Sequence, residues 1–288
     1  MQTLYLKRHL TDKQGERLNG TFLTDKDYDT VIETDTDAYS MEGEMLFRFR
    51  KGVIPYPVIK NGYESFKRSI TLTEGRGSAA GKTFKRIRKD GSRGNTTVSN
   101  KVESGNVGSM DPSAINRFCR RTAFAHDHFE LFKQGIPFVE YIDKLYSELC
   151  PTHYKKQKAI ADGTNRNYVI GDTSFTTVTV NRNFQTAVHK DSGDYPAGFG
   201  NLFVYREGSF EGSYTCLPEF RAAVNMQTGD ALFMDVHRWH GNTPFRNCSE
   251  DYLRIAFVMY YREHMITCKS PAQELTDVKL DRGGFLKL

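Results

Sequence analysis

Phe175-Thr-Thr-Val-Thr-Val180 decides the fold class. The run is β-branched and aromatic, as a buried strand requires. From Tyr168 onward the chain keeps this style. Thr186-Ala-Val-His189, Asn201-Leu-Phe-Val-Tyr205, Arg221-Ala-Ala-Val224, Ala231-Leu-Phe-Met234 and Leu253-Arg-Ile-Ala-Phe-Val-Met-Tyr-Tyr261 follow at short intervals, with Gly193, Gly198, Gly208, Gly212 and Gly229-Asp230 as turns between them. Upstream the period changes. Ile115, Phe118 and Cys119, then Phe129, Leu131 and Phe132, then Phe138, Tyr141, Ile142, Leu145 and Leu149 recur at spacings of three and four, which predicts two or three amphipathic helices. Asp111-Pro112 reads as an N-cap and first-turn proline, Pro137 as the opening of a later helix and Pro151 as its end. Helices precede strands without βαβ alternation. The expected fold is therefore α+β with a largely antiparallel sheet, either a sandwich or a jelly-roll barrel.

The chain has 288 residues, 38 % hydrophobic and 26 % charged, the composition of an ordinary globular protein. One domain with elaborations is expected. Apolar runs are as short as Ile255 to Met259, too short for a bilayer span, and Met1-Gln-Thr-Leu-Tyr-Leu-Lys has no secretory pattern, so an intracellular, soluble protein is expected. Five cysteines, at 119, 150, 216, 248 and 268, are scattered and odd in number, and read as reduced thiols. Charge is segregated. Asp25, Asp27, Asp29, Glu33, Asp35 and Asp37 cluster early, whereas residues 76–101 carry eight bases against the single acid Asp90. That excess of seven exceeds the net +5 of the chain. The segment is rich in Gly, Ser, Thr and Asn, which favours a loop or hairpin, either merely solvated or a phosphate-contacting arm bearing Lys82, Lys85, Arg86, Arg88, Lys89 and Arg93.

Chemistry concentrates in the β-rich half. His189 and Asp191, two residues apart, project from one face on or leaving a strand, and His240 follows in Asp235-Val-His-Arg-Trp-His240-Gly-Asn-Thr-Pro244. Two imidazoles and a carboxylate form the facial triad of non-haem Fe(II), with positions left open for a co-substrate and dioxygen. His237 is a rival for the distal ligand, since Asp235-Val-His237 repeats the two-residue spacing. Arg254, fourteen residues after His240, stands in an otherwise apolar strand. On a face that looks inward it shares that face with Ala256, Val258, Tyr260 and Arg262 and needs an anionic partner, which a dicarboxylate supplies. Asn181 and Asn183 precede the pair by even numbers and face the site if the strand is continuous, Asn181 as a hydrogen-bonding partner for the co-substrate. Arg120 and Arg121 are further candidate cations, His126 and His128 read as structural, and Trp239 as packing.

The strings VNRNFQTAVHKDSGD, GDALFMDVHRWHGNTP and RIAFVMYYRE resemble the TET/JBP branch of the Fe(II)/2-oxoglutarate dioxygenases, especially its phage-type members, over residues 98–264. The resemblance implies a double-stranded β-helix (jelly-roll, cupin-like) core with flanking helices, residues 1–110 forming an N-terminal elaboration and 111–270 the helices and core of a single catalytic domain. It implies iron held by His189, Asp191 and His240, 2-oxoglutarate held by Arg254, and a base pocket of Tyr260, Arg262 and Asp194, with His237 beside it. Ala256 replaces a serine frequent in the family, Arg262 stands where cytosine-specific members carry histidine, and Asp194 where they carry asparagine. The implied reaction hydroxylates the 5-methyl group of a pyrimidine in DNA, either 5-methylcytosine or thymine, with 2-oxoglutarate converted to succinate. The base of a duplex must flip out to react. The expected partner is double-stranded DNA, with no membrane and no obligate protein partner, in the cytoplasm of a bacterial host if phage-encoded. Two alternatives accompany this reading: a dioxygenase acting on a protein side chain or small molecule, and a non-catalytic DNA-binding jelly roll.

Overall fold

The computed structural model describes residues 1–113 and 116–285; Ile115, expected on a helical apolar face, lies outside them. A large sheet runs edge to edge through Gln2–Leu6, Thr36–Ser40, Met45–Arg50, Ala231–Met234, Gly200–Glu207, Leu253–Tyr260, Thr177–Arg182, Val102–Met110 and Thr71–Thr73. Only its pairing of Gln2–Leu6 with Thr36–Ser40 is parallel. A smaller sheet, in the order Gly241–Asn242, Thr215–Leu217, Ala222–Val224 and Thr30–Ile32, lies across a cavity from it. Two separate facing sheets, rather than one closed barrel, make the jelly roll. Residues 1–110 supply strands at both edges of the large sheet.

The strand Leu253–Tyr260 shows why the layers form. Its even-numbered residues from Arg254 to Tyr260 line the cavity, whereas Ile255, Phe257 and Met259 are buried among the helices behind the sheet. Phe257 meets Phe138 edge to face at 5.1 Å between ring centroids. Each such fully buried side chain contributes ~1.5–3 kcal/mol. The helices Tyr56–Phe66 and Phe129–Leu149 cross on this side, and two glycines permit their approach. A Cβ on Gly135 would fall 2.2 Å from the Phe66 ring, and one on Gly62 would fall 2.4 Å from that of Phe138.

Several local expectations change. Pro137 does not open a helix but lies inside Phe129–Leu149, whose continuous apolar face outweighs one lost backbone donor. Pro151 opens the next helix, Pro151–Asp162. Asp111-Pro112 caps no helix, and Thr122 instead caps Ala123–Asp127. Thr186–His189 is not a strand, because Asn183 turns the chain at φ +44° and only an isolated bridge joins His189 to His240. Cys119 and Cys268 are not free thiols. The fold pairs them as a disulfide across a separation of 149 residues, which no local spacing announces. The basic segment is a hairpin, Phe84–Ile87 with Arg93–Val98. Among the described residues no helix is long and apolar enough to cross a membrane.

Candidate metal centre and substrate cavity

The ligand set is built by backbone pairing between two irregular segments. His189 and His240 exchange both backbone hydrogen bonds, at 2.9 and 3.0 Å, and the Asp191 amide donates to the Val236 carbonyl at 3.0 Å. Each imidazole is fixed a second time through Nδ1, which donates to a carbonyl two residues earlier: Ala187 at 2.8 Å for His189, Arg238 at 2.9 Å for His240. That bond assigns the proton to Nδ1 and leaves Nε2 as the free lone pair. The two Nε2 atoms each stand 3.5 Å from a different oxygen of Asp191. All three donor atoms lie within 4.8 Å of one another. Burial pushes the Asp191 carboxyl up, but the two imidazoles, when they carry a second proton on Nε2, donate to it and hold the group far below the usual carboxylate range. A preset pair of imidazole nitrogens and an ionised carboxylate fits a divalent transition metal with open positions.

The cavity beside this cluster has a volume of about 460 Å³. Arg254 lines it and is only 4 % exposed, yet among the described residues its guanidinium has no carboxylate partner. Burial, then the charge of Arg206, lowers its pKa to about 9. Its backbone amide is held by Asn183 Oδ1 at 2.7 Å. Asn183 thus positions the arginine strand from behind instead of facing the site. A desolvated, unpaired guanidinium is a carboxylate receptor, so the residues present fit 2-oxoglutarate as well as iron. Asn181 also lines the cavity, with its Oδ1 accepting from Ser104 Oγ.

Tyr260, Arg262 and Asp194 gather at the other end of the same strand face. The Tyr260 hydroxyl lies 3.1 Å from Thr179 Oγ1, and Arg262 Nε donates to Asp111 Oδ1 at 2.5 Å. This ion pair is the actual role of the aspartate expected to cap a helix. Burial first, then the Asp191 charge, raises the Asp194 carboxyl well above its ordinary value, and its Oδ2 is buried without a hydrogen-bond partner. His237, the rival ligand, does not line the cavity and joins neither the metal cluster nor the base pocket. The reason is register: the turn after Asp235 carries residue 237 away, and the pairing of residue 240 with His189 brings only His240 inward. Arg120 and Arg121 are absent from the cavity wall. Trp239 packs on Gly15 under the Lys190 ammonium, which is 4.8 Å from its ring centroid.

Lys82, Lys85, Arg86, Arg88, Lys89 and Arg93 are all exposed on the basic hairpin, with Arg86 paired to Glu74. The hairpin rises from the cavity rim, because Gly75, Arg76, Gly77, Ser78 and Ala79 line the cavity immediately before it. Sequence reasoning counted Arg76 only as part of the charge run. Its one local sign is the flanking pair of glycines in Gly75-Arg-Gly77.

Comparison with known proteins agrees with this geometry. The model for Tet_JBP, the oxygenase domain of the 2OGFeDO superfamily, matches residues 111–263. The bifunctional helicase and thymine dioxygenase JBP2 of Trypanosoma cruzi is 32 % identical over 263 residues, covering 89 % of this chain and 23 % of that protein. JBP2 of Leishmania tarentolae is 38 % identical over 149 residues, covering 52 % and 13 % respectively. Thymine dioxygenase JBP1 of Trypanosoma brucei brucei is 34 % identical over 146 residues, covering 50 % and 17 %. The chain thus spans less than a quarter of the length of these relatives. Among solved structures, NgTET1 in complex with 5mC DNA shares the fold with a TM-score of 0.57 at 16 % identity, covering 94 % of this chain and 99 % of that one.

Proposed function

The chain belongs to the Tet_JBP oxygenase family, an Fe(II)- and 2-oxoglutarate-dependent dioxygenase group, and we propose that it hydroxylates the 5-methyl group of a pyrimidine in DNA. One observation carries the proposal: an imidazole, carboxylate, imidazole cluster with preset lone pairs opens on a cavity in which a buried arginine has no acid partner among the described residues. When bound, Fe(II) with 2-oxoglutarate and dioxygen supplies the oxidising power that turns a methyl into a hydroxymethyl group, releasing succinate and carbon dioxide.

In this reading His189, Asp191 and His240 hold the metal through Nε2, a carboxylate oxygen and Nε2. The Arg254 fork would take the distal carboxylate of 2-oxoglutarate through paired hydrogen bonds. Leu202, Val258 and Phe184 give the cavity apolar wall that limits water. Tyr260 offers a ring for the flipped base, with Asp194 and Arg262 within reach of its polar edge, and the exposed cations from Lys82 to Arg93 track the phosphate backbone. Residues 1–110 and 111–270 act as one catalytic unit, since both contribute strands to the sheet that bears the site.

The names of the JBP relatives make thymine the first substrate to test and 5-methylcytosine the second. Protein supplied with Fe(II), 2-oxoglutarate and duplex DNA is expected to generate 5-hydroxymethyluracil or 5-hydroxymethylcytosine, read by mass spectrometry of nucleosides. Succinate formation without any modified nucleoside would move the activity to another class of substrate.

A further inference from the structure

Arg76 lines the cavity and, among the described residues, pairs with no acid. Nη2 donates to the Gly105 carbonyl at 3.0 Å and to Asn106 Oδ1 at 3.1 Å. Asn106 Oδ1 also accepts from Thr179 Oγ1 at 3.0 Å, and Thr179 Oγ1 is 3.1 Å from the Tyr260 hydroxyl. One nitrogen is therefore committed to anchoring. The N–H groups on Nη1 and Nε have no protein acceptor among the described residues, and no carboxylate there stands within ion-pair distance. Burial lowers the pKa of Arg76, while Tyr260 and Asp191 support its charge and Arg262 opposes it. A desolvated guanidinium, oriented through one nitrogen and open at the other two, is a receptor for an oxyanion.

Position along the sheet distinguishes the available oxyanions. Arg254 and Tyr260 are six residues apart on one face, ~20 Å at ~3.3 Å per residue. Arg254, the candidate seat of the 2-oxoglutarate distal carboxylate, stands at one end of this face, whereas the hydrogen-bonded chain of Asn106 and Thr179 ties Arg76 to Tyr260 at the other. The oxyanion that accompanies a base to Tyr260 is the phosphodiester of its own nucleotide. Chain connectivity agrees, since the segment carrying Arg76 leads directly into the exposed basic hairpin.

We propose that Arg76 binds a phosphate of the target nucleotide and fixes the sugar-phosphate at the cavity mouth while the base is inside. The inference rests on the reading that DNA is the substrate. It assigns Arg76 a role apart from the hairpin cations, which contact backbone at a distance from the reacting nucleotide.

Binding of wild type, Arg76→Gln and Arg76→Lys to duplex DNA, each loaded with Mn(II) and 2-oxoglutarate, can be followed by fluorescence anisotropy from 50 to 200 mM salt. Arg76→Gln is expected to bind about 10-fold more weakly at low salt, and its log-affinity against log-salt slope should be shallower by ~0.9, one phosphate contact. Arg76→Lys should keep the slope and most of the affinity. Calorimetry should find 2-oxoglutarate affinity unchanged in both, which also establishes that the variants are folded. Unchanged DNA affinity and slope in Arg76→Gln, with wild type binding, would overturn the proposal. Weakened 2-oxoglutarate binding with intact DNA binding would assign Arg76 to the co-substrate instead. Absence of DNA binding by wild type would remove the DNA reading itself, and this inference with it.

Discussion

Replacing Arg254 by methionine should stabilise the cofactor-free protein while abolishing its response to 2-oxoglutarate. The two effects share one cause. Arg254 is 4 % exposed, has no acid partner among the described residues, and is depressed to a pKa of about 9 by burial and by Arg206. A depression of that size amounts to ~4–5 kcal/mol against the charged form. The cavity admits solvent, so this is an upper bound, and exchange for an apolar chain of similar volume should return ~1–4 kcal/mol. For a chain of this size each kcal/mol moves Tm by ~2–4 °C. The sign with pH is fixed. A cation whose folded pKa lies below its unfolded value destabilises the fold fully below the folded pKa, so the gain should be constant from pH 6 to 8 and shrink as pH rises past about 9. Adding 2-oxoglutarate with Mn(II) reverses the ranking. At 100 times its Kd the co-substrate should stabilise wild type by ~2.7 kcal/mol. The variant loses a charge-assisted carboxylate pair of ~2–5 kcal/mol and should show almost no shift. Calorimetric scans of both proteins at pH 7 and pH 10, with and without 2-oxoglutarate, contain the whole test. A variant less stable than wild type without ligand, or one that keeps the wild-type response, refutes the reasoning.

Four further substitutions probe the frame and the ligand set. Asp37 accepts from Arg48 Nε at 2.8 Å and from Arg50 at 2.7 Å; burial pushes its carboxyl up, but these arginines outweigh it and hold it below its ordinary value. Asp37→Asn should cost ~3–5 kcal/mol at pH 7 in urea unfolding, and the difference from wild type should shrink as pH falls through the acid range, because a depressed carboxylate contributes stability only while ionised. Cys119→Ser should lower Tm and make it insensitive to reductant, whereas wild type should lose several degrees on reduction. His189→Ala should eliminate the rise in Tm produced by Mn(II), and His237→Ala should retain it; the opposite result would restore His237 as the ligand.

Legibility in the sequence followed the range of the interactions. The alternation of Leu253 to Tyr261 alone foretold which side chains face the cavity, because a strand has a fixed period and the two sides differ in polarity. His189 and Asp191 were legible as a pair from their spacing, although irregular pairing with residues 236–240, not a strand, brings them together. Features that depend on contacts distant in sequence carried no such mark. Cys119 and Cys268 meet only through the folded chain, and Asp111 finds Arg262 across 151 residues. Arg76 looked like one charge among eight because only its flanking glycines, Gly75 and Gly77, set a cation turned inward apart from seven turned outward. Pro137 misled for a different reason: its local preference for a helix start was overridden by packing along both flanks.

The carbonyl bonds at the two Nδ1 atoms bear on which element fills the centre. Because both rings are fixed before any ion arrives, capture requires little rearrangement, and the site offers an ion of any identity the same three donors. Divalent ions of the first transition row bind nitrogen and oxygen donors in an order that puts nickel, copper and zinc ahead of iron. A site so well prepared for capture has little means of refusing them. Its occupancy after purification should therefore record the metals the protein has met, and full activity should require stripping with a chelator and reloading with Fe(II) in the absence of oxygen.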